Sequence, residues 1–313
     1  MLAVLARWLW LCLFISLGGC AVQTGALREH VPSDLRHAVE LDTTPFFAQS
    51  EYQCGPAALA TVLEAAGLPA DPAELAQQVF LPARTGTLQV EMIAGARRQG
   101  AVATRIPATL EALLREVQAG HPVVVLQNLG LSWYRFWHYA VLVGYDLDVG
   151  DVVLRSGGTR REVMPMRTFE HTWTRSGSWA FVALPPGQWP ATAQENAVVD
   201  ASVGFERVAP PAQAVAVYRS ALVGWGDNLA LQMGLGNSLY AAGDKPAAAQ
   251  AFKAAAQQYH SAPAWINLAN VWLELGHADE ALVAAREAQA VGDAAWQEQT
   301  EAIMQQALTA TRQ

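Results

Sequence analysis

The sequence predicts an α+β domain, with helices first and an antiparallel sheet after them, followed by an all-α domain. Three observations carry this expectation. Short apolar runs of strand length fall between residues 120 and 185: Val123–Leu126, Tyr139–Tyr145 and Trp179–Leu184. Asp151–Leu154 faces Tyr139–Tyr145 across an Asp/Gly-rich turn, the spacing of antiparallel neighbours. Residues 212–310 are helical in pattern and repeat internally.

The helices of the first domain are marked by their ends. Gly55-Pro56 opens one that runs to Ala66 and stops at Gly67, since a proline in the first turn lacks only an amide that no carbonyl needs. Asp71-Pro72-Ala73-Glu74 combines an acidic cap, a proline and a glutamate three residues on, so a short helix follows. Thr87–Arg98 suits a third helix and Thr109–Gln118 a fourth, stopped by Gly120. Pro185-Pro186-Gly187 starts a polar, Pro/Gly-punctuated connector. The expected organisation is therefore a leader over 1–20, an extended tether over 21–44, the α+β domain over 45–184, a linker over 185–211 and helical repeats over 212–310.

The chain has 313 residues, a formal net charge of −8 and 52% apolar residues. The acidic balance argues against nucleic acid as a partner. No zinc spacing, phosphate loop or dinucleotide fingerprint occurs, so no cofactor or metal is expected.

In the repeats, Leu235-Gly236-Asn237 returns as Leu268-Ala269-Asn270, and Tyr218 returns as Phe252. The pattern resembles tetratricopeptide repeats, with two units and a preceding half. Small residues (Gly236, Ala248, Ala269, Ala281) are expected to let helices approach while Trp265, Tyr240 and Trp272 fill the gaps. By that resemblance the repeats bind a protein partner, or part of a substrate, in a concave groove.

Residues 1–20 carry one charge, Arg7, an apolar stretch too short to span a bilayer, and then Leu17-Gly18-Gly19-Cys20. This resembles the lipobox of bacterial lipoproteins. The resemblance implies cleavage, lipid attachment at Cys20 and residence at the periplasmic face of the bacterial outer membrane. Cys12 falls in the disposable stretch. Cys54 is then the one free thiol of a mature chain in an oxidising compartment, either buried filler or a nucleophile. Its place at a helix start, with a histidine nearby, is expected to lower its pKa.

The stretch from Gln49 through Cys54-Gly55-Pro56 to Leu63, and later His138-Tyr139-Ala140-Val141-Leu142-Val143-Gly144-Tyr145-Asp146, resemble the two motifs of the C39-type peptidases. The resemblance covers residues 45–184 and implies a papain-like fold. It implies Cys54 as nucleophile, His138 as general base and then acid, and Gln49 as oxyanion donor. Gln49 stands five residues before the cysteine, where the family has six. The family's Asp-Pro after the next strand is replaced by Arg155-Ser156-Gly157-Gly158. Ser156, or a backbone carbonyl, is left to orient the imidazole, while Asp146, Asp148 and Asp151 lie in a turn too far along. Trp133, Tyr134, Phe136 and Trp137 are read as core packing or as a substrate wall. The expected function is cleavage of a peptide or isopeptide bond. The alternatives are a catalytically weak lipoprotein scaffold, or acyl transfer to an amine.

Overall fold

The computed structural model describes residues 21–48, 53–131 and 133–312. The expected leader, Cys12, Cys20 and Gln49 lie outside the described residues. The described residues form two compact units: those up to 65 with 71–88 and 106–182, and those of 66–70 with 89–105 and 183–312.

In the first unit, β1 (Ala38–Glu40), β5 (Val123–Asn128), β6 (Trp137–Asp146), β7 (Asp151–Ser156), β8 (Thr159–Pro165) and β9 (Ala180–Leu184) build an antiparallel sheet. The order is β9–β5–β6–β7–β8, with β1 also paired to β6. Val123, Val124, Val125, Ala140, Val141 and Leu142 are fully buried. Helix α2 (Cys54–Ala65) packs on the central strands, and Gly55 through Leu63 are all buried, which suits its alanine-rich sequence. Helix α3 (Pro72–Val79) is capped as its sequence predicts: Asp71 Oδ1 accepts the Ala73 amide at 2.8 Å. Helix α5 (Leu110–Gln118) is capped by Thr109, whose hydroxyl accepts the Ala112 amide. Helix α6 (Met166–Thr174) lies against β5, β7 and β8.

Residues 21–44 are not the extended tether the sequence suggests. Helix α1 (Val22–Glu29) docks there because the buried carboxylate of Glu170 accepts the amides of Gln23 and Thr24 at 3.0 and 2.7 Å. The buried Arg155 guanidinium donates to the carbonyls of Leu41, Asp42, Thr44 and Arg160, and so pins the following stretch to β7. Both anchors lie more than a hundred residues downstream, where local pattern reading does not reach. Strand β8 is also absent from the sequence expectation, since Thr159-Arg160-Arg161-Glu162 offers no apolar alternation. The third expected helix begins later, as α4 (Gln89–Arg98), because β2 (Phe80–Leu81) pairs with β3 (Gly86–Thr87) just before it.

Among the described residues the second unit is helical apart from β4 (Val102–Arg105) and the last two residues of β9. The connector expected over 185–211 contains helix α7 (Glu195–Glu206), whose Ala201 and Phe205 bury against Val102 and Val217. Helices α8 (Pro211–Gly224), α9 (Leu229–Ala241), α10 (Lys245–Tyr259), α11 (Ala262–Glu274), α12 (Ala278–Val291) and α13 (Gln297–Ala310) pack in succession. The repeat reaches the caps: Asn228 and, one repeat later, Ser261 each accept an amide three residues on. Gly236 faces the ring of Phe252, and a Cβ there would occupy the ring's own space. Gly236→Ala is expected to cost about 1–3 kcal/mol, read as a lowered melting temperature, with partial recovery when Phe252→Leu is added.

Candidate active site

Two elements of the first unit meet at Cys54. Helix α2 begins at the cysteine, so the amides of Cys54 and Gly55 sit at its unsatisfied N-terminal end. Strand β6 supplies the Tyr139 backbone amide, and all three amides face Sγ. The thiol therefore lies against the residue that follows His138. Val141 pairs with Arg155 in the β6–β7 register, so His138 stands beyond the last paired residues of β7. There its Nε2 shares a hydrogen bond of 2.9 Å with the Oγ of Ser156, a residue only 8% exposed. With the proton on Nε2, Ser156 accepts it and Nδ1 presents a lone pair.

The electrostatics differ from the sequence expectation. Burial raises the Cys54 thiol above its ordinary 9.0, and this outweighs the opposing pull of the Tyr139, Gly55 and Cys54 amides. Burial likewise lowers His138 below 6.5, against a raising influence from Glu162. Desolvation disfavours both charged forms, so near neutral pH the two groups rest as thiol and imidazole. The helix dipole alone does not produce a thiolate.

Neighbouring side chains fix the strands that carry His138 and Tyr139. Tyr139 turns its ring to the Trp179 edge, with centroids 5.8 Å apart, and donates its hydroxyl to the Thr87 carbonyl at 3.1 Å. Burial, and then the nearby Cys54, raise its phenol. Gln127, the cross-strand partner of His138, donates its amide to the Thr172 hydroxyl of α6 at 2.7 Å. Tyr139, Gln127 and Glu162 were not singled out by the sequence; only the strand alternation around His138 signals the first two.

Other candidates are placed apart. Asp146 accepts the amides of Asp148 and Val149, and Asp148 binds His37 at 2.7 Å. His121 pairs with Glu116. Trp133, Tyr134, Phe136 and Trp137 are exposed by 82, 73, 56 and 47%, so they are not core. In the second unit a groove of about 1010 Å³ is lined by residues including Trp265, Leu268, Trp272, Lys253, Asp279 and Val283. Among the described residues no group of three or more His, Cys, Asp or Glu side chains is arranged to hold a metal ion, and no helix is long and apolar enough to cross a membrane.

Residues 41–181 match the model of the Peptidase_C39 like family. Among solved structures, a Bacillus anthracis protein described as a C39-like peptidase is 21% identical, with TM-score 0.41; the match covers 48% of this chain and 98% of that one. The peptidase domain of Streptococcus ComA, a bi-functional ABC transporter involved in quorum sensing, is also 21% identical, with TM-score 0.39 and coverage of 45% and 98%. The Yersinia enterocolitica type III secretion translocator chaperone SycD is 15% identical, with TM-score 0.34 and coverage of 36% and 81%. No curated protein matches the chain.

Proposed function

We propose that this chain, whose residues 41–181 form a domain of the Peptidase_C39 like family, is a cysteine peptidase acting through Cys54 and His138. The observation that carries the reading is the seating of the thiol on the Tyr139 amide while Ser156 engages the adjacent imidazole at Nε2. As the thiol attacks a peptide carbonyl, its proton passes to His138 Nδ1 and sulfur bonds to the carbonyl carbon. The imidazolium then returns that proton to the departing amine, leaving a thioester. Water, deprotonated by the same imidazole, hydrolyses the thioester and restores the thiol. Gln49 and the Cys54 amide are the proposed donors to the oxyanion, a donor being worth about 2.7–4 kcal/mol in such sites. Ser156 stands where the family has a carboxylate. It orients the ring without adding charge, so a slow enzyme is expected.

The experiment is incubation of the full chain with a complex peptide mixture, followed by mass spectrometry. New termini that appear with the wild type and vanish with Cys54→Ser support the reading; termini insensitive to Cys54→Ser, or none at all, contradict it. Ser156→Ala should slow cleavage roughly 10-fold without abolishing it, because the imidazole loses its orienting partner and keeps its basicity.

A second reading is a binding scaffold of the same fold, favoured by the protonated resting thiol and by the serine in place of a carboxylate. It predicts that Cys54→Ser retains the biological role. For either reading the groove lined by Trp265, Leu268 and Trp272 is the proposed partner surface. Lipid attachment at Cys20, with residence on the periplasmic face of a bacterial outer membrane, is proposed from the Leu17–Cys20 motif. Metabolic labelling with palmitate tests it, since Cys20→Ala should abolish incorporation.

A further inference from the structure

The family's orienting aspartate has no counterpart after β7, yet a carboxylate stands one strand further out. Glu162 lies on β8, opposite Leu154 of β7. Its direction follows from the strand's alternation: Glu162 and Met164 are half-buried, while their neighbours Arg161 and Val163 are exposed. Met164 Sδ lies 4.0 Å from the Gln127 amide, and Gln127 is the cross-strand partner of His138. Met164 and Glu162 therefore share the sheet face that carries the imidazole. Ser156, which touches His138 Nε2, occupies that face on the strand between them. Adjacent strands are about 4.8 Å apart, and Glu162 is level with Leu154 and through it with Leu142, so its stem lies two strand spacings across and four residues along from that of His138, with the Ser156 side chain on the diagonal between them.

We propose that Glu162 is a positioning residue of this site, a carboxylate that stabilises the imidazolium of His138 across Ser156. The inference rests on the Cys54–His138 reading and supplies the negative charge that reading otherwise lacks. The cations nearby are committed elsewhere. Arg155 donates to the carbonyls of Leu41, Asp42, Thr44 and Arg160. Arg161 makes a two-pronged pair with Glu40, at 2.8 and 2.9 Å. The groups that face His138 are Ser156 from β7, Gln127 from β5 with Thr172 of α6 behind it, and Glu162 from β8, while the Cys54 thiol of α2 lies against the Tyr139 amide. The Tyr139 hydroxyl is engaged by Thr87. The Glu162 charge raises the proton affinity of His138, while burial opposes it. A carboxylate held off by one strand eases protonation during turnover and still leaves the ring neutral, and so basic, at rest.

The test is the NMR titration of the His138 imidazole in the full chain carrying Cys54→Ser. Glu162→Gln is expected to lower the midpoint by about 0.5–1 pH unit, Glu162→Asp to retain most of the parent value, and Glu162→Lys to lower it further. A purely structural role would shift none of these in order of charge. Midpoints unchanged within about 0.2 unit in the Gln and Lys variants, both folded, would overturn the proposal. Alkylation of Cys54 compared between wild type and His138→Ala tests the pair itself, so failure of the Glu162 assignment is separable from failure of the peptidase reading.

Discussion

Replacing His138 with Ala is expected to lower turnover of a peptide substrate by about 10²–10⁴-fold, the usual contribution of a general acid–base group. The size follows from the resting state of the pair. A preformed thiolate would attack without help and lose less. Here burial holds the thiol protonated, and the nucleophile exists only while something takes its proton. In the proposed mechanism His138 also returns that proton to the leaving amine, so two steps are expected to fail together. The same electrostatics set the pH dependence of the wild type. The base must be neutral, and burial moves His138 below 6.5, so activity rises with pH through an inflection below that value. The thiol lies above 9.0, so the alkaline limb falls above it, where the proton shared by the pair is lost. A broad plateau between these limits is expected in a pH–rate profile. An acid limb above 6.5 or an alkaline limb below 9.0 would contradict the dominance of burial.

Gly55→Ala is expected to destabilise the first unit by about 1–3 kcal/mol and to slow alkylation of Cys54 at neutral pH about 10-fold. A Cβ on Gly55 would lie 2.6 Å from Thr87 Oγ1 and 2.7 Å from Thr87 Cβ. Neither atom is the end of a flexible side chain. Thr87 is β-branched, belongs to the β2–β3 pair, and its carbonyl is fixed by the Tyr139 hydroxyl. The start of α2 must move instead, and it carries the thiol away from the Tyr139 amide. Thermal melting together with alkylation kinetics checks both effects. A variant with unchanged melting and unchanged labelling would show that the helix start has more room than these distances allow.

Much of this arrangement was legible in the chain, and the reasons differ by element. The start of α2 was readable because Gly-Pro punctuation is local, and β6 because its apolar run is long. Ser156 was reachable by counting from the strand after His138, and it does stand beside the imidazole. Helix α1 was not readable, because its N-terminal amides are satisfied by Glu170, nearly 150 residues away. Strand β8 was hidden by its charges, since an edge strand with one wet face can carry arginines and still pair. Helix α7 was hidden among prolines and polar residues, although Ala201 and Phe205 have the spacing of a buried face. The thiol's protonation was misjudged for a different reason: the helix start can be read from sequence, but the degree of burial that outweighs it cannot. Exposure of Trp133, Tyr134, Phe136 and Trp137 was equally beyond a composition argument.

The measurement that tests the Cys54–His138 pairing most directly is the rate of Cys54 alkylation by iodoacetamide between pH 5 and 10, in the wild type and in His138→Ala. The pairing predicts two phases for the wild type: a neutral-pH plateau sustained by proton transfer to the imidazole, then a rise above 9.0 as the thiol ionises by itself. In His138→Ala the plateau disappears and only the alkaline rise remains. Superimposable profiles for the two proteins would mean that the histidine does not serve the thiol, and the peptidase assignment would fall.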